Sequence, residues 1–432
     1  MTIWKQKSKI LVTCPKGVTS YLKTEVEDLR FPVLNEIDTA IQTEGTLEDT
    51  MRLNLHLRTA QRVLYQLQTF KIVSPGALYE QVNALPWETL LHDSGKRAYV
   101  CITSIVDNPL ITDSRFVNLK VKDAIVDRIR EKLGARPDSG PDKDKAVVHV
   151  YWRHDQAIVY IDTSGDRLAL RGYRKIPLQA PMQETLAAAV ILATGWRGRG
   201  AFVNPMCGSG TLAIEAALIA LHRAPGLSRN NYGFMYIKGF PGELWQELRK
   251  KARNQARKTL PAKIIATDID EVAVQAARQN AQTAGVDHLI EFHTCPYEKT
   301  PIPQGGGVIV INPPYGERLD AAGTKPQYPE SKKEMAQGRA VIIRKVADRK
   351  DFSGRTNILQ RLEAIYSGSG DFFKSSGGGY RGYIFTGNLE MIKKVGLRTK
   401  RRLTFYNGEI ECRLLEYELY AGSRKIPVPD DE

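Results

Sequence analysis

Ile311-Asn312-Pro313-Pro314-Tyr315-Gly316-Glu317 follows the apolar run Val308-Ile309-Val310, which reads as a buried strand. Two consecutive prolines cannot extend that strand, because each lacks a ladder N–H and fixes φ. The chain must leave the sheet rigidly there, holding an Asn amide and a Tyr ring at the strand's carboxyl end. Open α/β sheets bind ligands at that edge. An amide that accepts from an amino group, beside a ring that stacks, suits a planar nitrogenous base. Asn312, Pro313, Pro314 and Tyr315 are therefore the candidate catalytic residues.

Upstream, Gly208-Ser209-Gly210 sits between a short strand, Ala201-Phe202-Val203-Asn204, and a helix expected over Leu212 to Leu221. Glycines in such a turn let backbone N–H groups approach a ligand closely. Read literally, Gly208 to Ala213 also fits the dinucleotide fingerprint G-x-G-x-x-A. The next clear strand, Lys263 to Thr267, ends at Asp268, whose carboxylate suits ribose hydroxyls. In a nicotinamide fold the acid follows the glycines by about 20 residues. Here an inserted segment, including a helix from Glu243 to Lys258, separates them, which counts against NAD. Asp270 directly precedes Glu271 and is the expected cap of a helix over Glu271 to Ala284, stopped by Gly285.

From about residue 176 strands alternate with helices, which predicts a mostly parallel, doubly wound sheet. Asn407-Gly408, flanked by Arg402–Tyr406 and Glu409–Leu415, predicts a terminal antiparallel hairpin. Ser367-Gly368-Ser369-Gly370 and Gly377-Gly378-Gly379 read as turns. Residues 320 to about 357 are polar and basic without steady periodicity, and read as a basic insertion. Before residue 165 the pattern is α+β. Strands are expected at Lys9–Cys14, Val63–Phe70 and Ala98–Thr103, and a basic amphipathic helix over Ser114 to Leu133. A turn-rich linker, Gly134 to Lys145, leads to a hairpin of Val147–Trp152 and Ala157–Asp162.

The 432 residues carry a net charge of +14, which favours a polyanionic partner such as nucleic acid. Arg115, Lys120 and Lys122 on the expected helix, and the cluster Arg398, Lys400, Arg401 and Arg402, are candidate RNA contacts. The five cysteines are scattered, and no C-x-x-C or His/Cys cluster indicates a metal site. A reducing compartment, the cytoplasm, is expected. No run approaches the ~18 apolar residues of a membrane span.

Together these residues resemble the class I S-adenosylmethionine-dependent methyltransferases that modify exocyclic amines of nucleobases. More narrowly, the sequence is similar to the THUMP-domain RNA methyltransferases related to the N-terminal half of bacterial RlmL, which methylate guanine N2 in 23S ribosomal RNA. The resemblance rests on Arg171-Gly172-Tyr173-Arg174, Ala180–Ala187, Asn204–Thr211, Thr267–Asp270, Asn312–Arg318, Thr386-Gly387-Asn388 and the Asn407-Gly408 hairpin with Glu411–Leu415. It implies a ferredoxin-like region (1–70), a THUMP region (71–165), a Rossmann-like methyltransferase domain (166–421) and a tail (422–432). It also implies S-adenosylmethionine contacts from Asn204, Pro205, Cys207, Gly208, Gly210, Thr211, Asp268, Ile269, Cys295 and Asn312. RNA is the implied partner, 23S ribosomal RNA or its assembly precursor, with tRNA the runner-up. Two departures stand out. No Asp follows the third strand, at His293-Thr294-Cys295-Pro296-Tyr297-Glu298, to hold an adenine amine, so backbone near Cys295 is expected to serve, with Glu298, later than the usual position, as the alternative. The insertion after the catalytic loop is also unusual. A non-catalytic RNA-binding module explains the charge but leaves Gly208, Asp268 and Asn312 without a role.

Overall fold

The computed structural model describes residues 3–316 and 352–420, apart from 73, 92–97, 109, 110, 112, 179, 180 and 261. Most of the expected 320–357 insertion and the 422–432 tail lie outside these residues. Among the described residues, no helix is long and apolar enough to cross a membrane.

The N-terminal part forms strands β1 (Ser8–Thr13), β2 (Asn35–Ile37), β3 (Ala40–Gly45), β4 (Arg62–Lys71), β5 (Tyr99–Asp107), β6 (Asp138–Ser139), β7 (Ala146–Arg153) and β8 (Gln156–Asp162). They make one eight-stranded sheet in the order β2-β3-β1-β4-β8-β7-β5-β6. The two regions expected before residue 165 are thus joined by β4–β8 pairing, from Leu64 opposite Asp162 to Lys71 opposite Gln156, with one register shift between Gln66 and Gln68. The linker at Gly134–Lys145 contributes β6, which pairs with the start of β5. The helix Ser114–Leu133 has the predicted bounds: the Asp113 carboxylate caps the Arg115 N–H at 2.8 Å, and Gly134 ends it at φ 68°.

The second sheet contains β9 (Ala201–Pro205), β10 (Ile264–Asp268), β11 (Ile290–Thr294), β12 (Gly307–Ile311), β13 (Tyr380–Thr386), β14 (Arg401–Asn407) and β15 (Ile410–Glu418). Its seven strands run β11-β10-β9-β12-β13-β15-β14. The first five pair in parallel, and β15 enters antiparallel to both β13 and β14. Strand order therefore reverses at β9/β12, the switch point where such sheets bind ligands. Every residue of β9 and of the helix Thr211–Ala220 behind the glycine turn is buried, and the polar side chains among them, Asn204, Thr211 and Glu215, are held by internal hydrogen bonds.

One expectation fails. Ser367-Gly368-Ser369-Gly370 is not a turn but lies inside the helix Phe352–Ser376, which also begins within the segment assigned to the insertion. These glycines are packing residues. A Cβ on Gly370 would stand 1.8 Å from the Val395 carbonyl oxygen, and one on Gly368 2.1 Å from the Tyr297 hydroxyl. Ser369 is fully buried and returns its hydroxyl to the Ile365 carbonyl at 2.7 Å. Close approach to neighbouring segments overrides the local propensity for a turn.

The two halves are held together by a buried ionic cluster. Arg171, 2% exposed, donates Nε to Glu215 Oε1 at 2.8 Å and Nη2 to the Arg58 carbonyl at 2.6 Å. Tyr173 donates its hydroxyl to the same Glu215 oxygen at 3.0 Å. Removing one member of such a buried pair costs about 3–5 kcal/mol.

Candidate active site

The ladder between β9 and β12 stops at Val203 opposite Ile309. Beyond it the strands part. Asn204, fully buried, reaches across and donates Nδ2 to the Val310 carbonyl at 2.8 Å. That bond satisfies a carbonyl the ladder no longer pairs and fixes the width of the crevice. Asn204 Oδ1 is buried and has no hydrogen-bond partner among the described residues.

The chain turns sharply after β9. Met206, Gly208 and Gly210 have φ of 56°, 53° and 82°. At Gly210 a Cβ would come within 2.9 Å of the Ala277 methyl, so helix packing demands glycine there. At Gly208 nothing lies within 4 Å of the added atom, and the loop is open on that side. Cys207, its thiol pushed up by burial, donates its N–H to the Thr267 carbonyl at 2.8 Å. The Gly208 N–H donates to Asp268 Oδ2 at 2.9 Å. Asp268 Oδ1 accepts the Asp270 N–H at 3.1 Å, and Asp270 caps the next helix as expected. Burial raises the Asp268 carboxyl above the usual range, opposed by the N–H groups of Gly208 and Asp270. Beside it Ile269 is 73% exposed, an apolar surface left uncovered.

Other candidates are engaged internally. At Cys295, near which backbone is expected to hold an adenine amine, the N–H donates to the Asp268 carbonyl at 2.9 Å and is not itself available. Thr211 accepts Arg174 Nη2 at 3.1 Å, and the same nitrogen reaches the Met182 carbonyl at 2.6 Å. Asn280, fully buried, donates to the Ser209 carbonyl at 3.2 Å and accepts the N–H groups of Lys175 and Ile176. Sequence reading missed this brace. Its signal was an Asn on the apolar face of the helix Glu271–Ala284, in line with Ala273, Ala277 and Ala284.

After β12, Asn312 and Tyr315 face one another, with the Tyr315 hydroxyl donating to Asn312 Oδ1 at 2.9 Å. Gly387 lies against the Tyr315 ring, since a Cβ there would stand 3.0 Å from it. Asn388 Nδ2 donates to the Tyr315 carbonyl at 2.9 Å, and Tyr366 donates its hydroxyl to the Pro314 carbonyl at 3.4 Å. Pro313 is buried. Gly387 and Asn388 thus hold the Asn312–Tyr315 loop in place.

The expected RNA contacts lie elsewhere. Arg115 pairs with Asp113 at 2.9 Å and Lys122 with Asp123 at 3.0 Å, while Lys120 lies over the Phe116 ring. Arg398, Lys400, Arg401 and Arg402 precede or open β14, at the edge of the sheet opposite Asp268 and Asn312. Lys400 pairs with Glu418 and Arg401 with Glu416.

Comparison with known proteins gives the architecture its class. A ferredoxin-like domain model described for RlmL matches residues 9–64, a THUMP domain model residues 75–162, and an RMKL-like methyltransferase domain model residues 171–355. The chain belongs to the THUMP-domain class I S-adenosylmethionine-dependent methyltransferases. Within that class it resembles the ribosomal RNA large subunit methyltransferase K/L of Syntrophotalea carbinolica, with 35% identity over 423 residues, covering 95% of this chain and 53% of that protein. The chain spans about half the length of the curated relatives it matches. Among solved structures, a "possible methylase" from Clostridium difficile 630 superposes with a TM-score of 0.78 at 27% identity, covering 97% of this chain and all of its own. The crystal structure of SMU.472 complexed with SAH shares the fold, with a TM-score of 0.76 at 24% identity, covering 98% of this chain and 100% of its own.

Proposed function

We propose that this chain transfers a methyl group from S-adenosylmethionine to the exocyclic N2 of a guanosine in RNA, the target RNA being 23S ribosomal RNA. The observation that carries the reading is the pairing, across one switch point, of an open glycine loop tied to Asp268 with the rigid Asn312 amide. The residues fit the cofactor. Space beside Gly208 admits a ligand, each Asp268 oxygen keeps acceptor capacity for a ribose hydroxyl, and exposed Ile269 offers a face to a flat ring. The choice of large-subunit ribosomal RNA is supported by likeness to the K/L relatives, and the choice of guanine N2 in 23S ribosomal RNA by the resemblance to the THUMP-domain RNA methyltransferases.

S-adenosylmethionine supplies an electrophilic methyl group. The chain's own work concerns the amine, whose lone pair is delocalised into the guanine ring. An amide oxygen has two lone pairs. The Tyr315 hydroxyl takes one on Asn312 Oδ1 and fixes the amide's orientation; the other accepts an amino hydrogen. The Pro313 carbonyl accepts the second hydrogen. Holding both hydrogens favours a pyramidal nitrogen and meets the positive charge that grows on it. Removing one such preorganised group costs about 10²–10³ in rate. The methylated ammonium is acidic and releases its proton to water, so no strong base is required. Tyr315 also forms a wall for the base, which must be flipped from any paired strand.

Mass spectrometry of ribosomal and transfer RNA nucleosides from a deletion strain tests this. Loss of N2-methylguanosine from 23S ribosomal RNA is expected. Loss confined to tRNA, or no loss in either pool, contradicts the assignment.

A further inference from the structure

The helix Gly242–Gln255 and the residues after it carry Lys250, Lys251, Arg253, Arg257 and Lys258, all exposed. No acidic residue occurs between Glu247 and Asp268. Among the described residues, none of these cations has a carboxylate within ion-pairing distance. The helix Ser114–Leu133 is different. There Arg115, Lys122, Arg128, Arg130 and Lys132 all pair with acids.

Arg257 lines a depression of about 410 Å³ together with His56, His222, Ala252 and Gln255, and no described carboxylate stands in its wall; the other four cations lie on the helix Gly242–Gln255 or just after it. Arg257 is anchored there, its N–H donating to the Leu221 carbonyl at 2.8 Å. Arg223 adjoins the group and reaches the Gly285 carbonyl at 3.5 Å. Burial first, then the nearby cations Arg58, Arg52 and Lys251, push His56 down to about 4. Burial and then Arg253 push Arg223 down. A helix C-terminus carries only about half a negative charge, too little to balance five cations.

The position is informative. The helix Glu271–Ala284 starts beside Asp268 and ends at Gly285, where Arg223 is bound. Fourteen residues at 1.5 Å each place this surface about 20 Å from the cofactor loop, at the opposite edge of the sheet. A target nucleotide cannot reach both places at once. A structured RNA can, because 20 Å is about six base steps.

We propose that this surface holds the sugar-phosphate backbone of the RNA substrate at a distance from the reacting base, with one phosphate seated between His56, His222 and Arg257. The proposal rests on the RNA reading above. Its test is a variant neutralised at four exposed positions, Lys250→Gln, Lys251→Gln, Arg253→Gln and Lys258→Gln. Binding to a 23S ribosomal RNA transcript is titrated at several salt concentrations, with methyl transfer to the same RNA and calorimetry with S-adenosylhomocysteine alongside. Phosphate contacts contribute about 0.7–0.9 each to the slope of log affinity against log salt. The slope should shrink by about three, with affinity at least ~10-fold weaker at low salt, while S-adenosylhomocysteine binding stays unchanged. A variant with the wild-type slope overturns the proposal and leaves the RNA reading intact. Wild-type protein that binds S-adenosylhomocysteine but neither binds nor methylates RNA removes the reading and the proposal together. A variant that loses affinity for phosphatidylglycerol vesicles but not for RNA overturns the proposal in favour of a membrane surface.

Discussion

At the carboxyl edge of the second sheet, Asn204, Gly208, Asp268 and Asn312 present amide, carboxylate and backbone groups, each held by an internal hydrogen bond. At the amino edge, Lys250, Lys251, Arg253, Arg257 and Lys258 are exposed and have no acidic partner among the described residues. The first set is held rigid by internal hydrogen bonds, as preorganised chemistry requires. The second is unpaired, as a surface that meets a polyanion requires. A sheet with a parallel core permits this division because its two edges lie a helix length apart. Substitutions at one edge should therefore leave the readout of the other untouched.

The sharpest break of that division is Asn312→Ala. Methyl transfer should fall by at least about 10²-fold, with S-adenosylhomocysteine affinity nearly unchanged and the salt slope unaltered. Near-normal turnover would remove Asn312 from the chemistry. Next is Asp268→Ala, which removes a charged acceptor from the cofactor side. Such bonds are worth about 1.5–3 kcal/mol, so S-adenosylhomocysteine affinity should drop about 10- to 100-fold in calorimetry. Unchanged affinity would refute the ribose assignment.

The same carboxylate gives a pH signature. Its ionisation is shifted upward by burial, and ribose binding favours the ionised form. Affinity should therefore weaken as pH falls, beginning at a higher pH than an exposed Asp would give. Asp268→Asn should flatten that profile; a variant that keeps the wild-type pH dependence contradicts it. Smaller still is Tyr315→Phe, which deletes the hydroxyl bound to Asn312 Oδ1. A neutral hydrogen bond contributes about 0.5–1.5 kcal/mol, so a roughly 3- to 10-fold loss in kcat is expected, with cofactor affinity and salt slope constant. A change in S-adenosylhomocysteine affinity instead would place Tyr315 on the cofactor side.

Much of this was legible in the sequence where a local signal had one physical meaning. Asp113 and Gly134 bracket one helix, Asp270 and Gly285 another, and in both cases the cap residue does the expected job. Pro313-Pro314 ends a strand because the ladder cannot continue through it. The failures are all tertiary. Gly368 and Gly370 look like a turn until Tyr297 and Val395 press against them. The β4–β8 pairing that merges two regions into one sheet joins segments about a hundred residues apart in sequence. Pairing of charges is tertiary in the same way. Arg115 and Lys122 stand beside acids that pair with them, while Lys250, Lys251, Arg253, Arg257 and Lys258 have no ion pair among the described residues. Whether a cation is available depends on what folds beside it.

The most direct test of the central claim is the identity of the methylated atom. Purified protein is incubated with methyl-labelled S-adenosylmethionine and 23S ribosomal RNA from the deletion strain, and the RNA is digested to nucleosides. Label in N2-methylguanosine is the predicted result. Label in N6-methyladenosine, or none in RNA from a protein that binds S-adenosylhomocysteine, would contradict it.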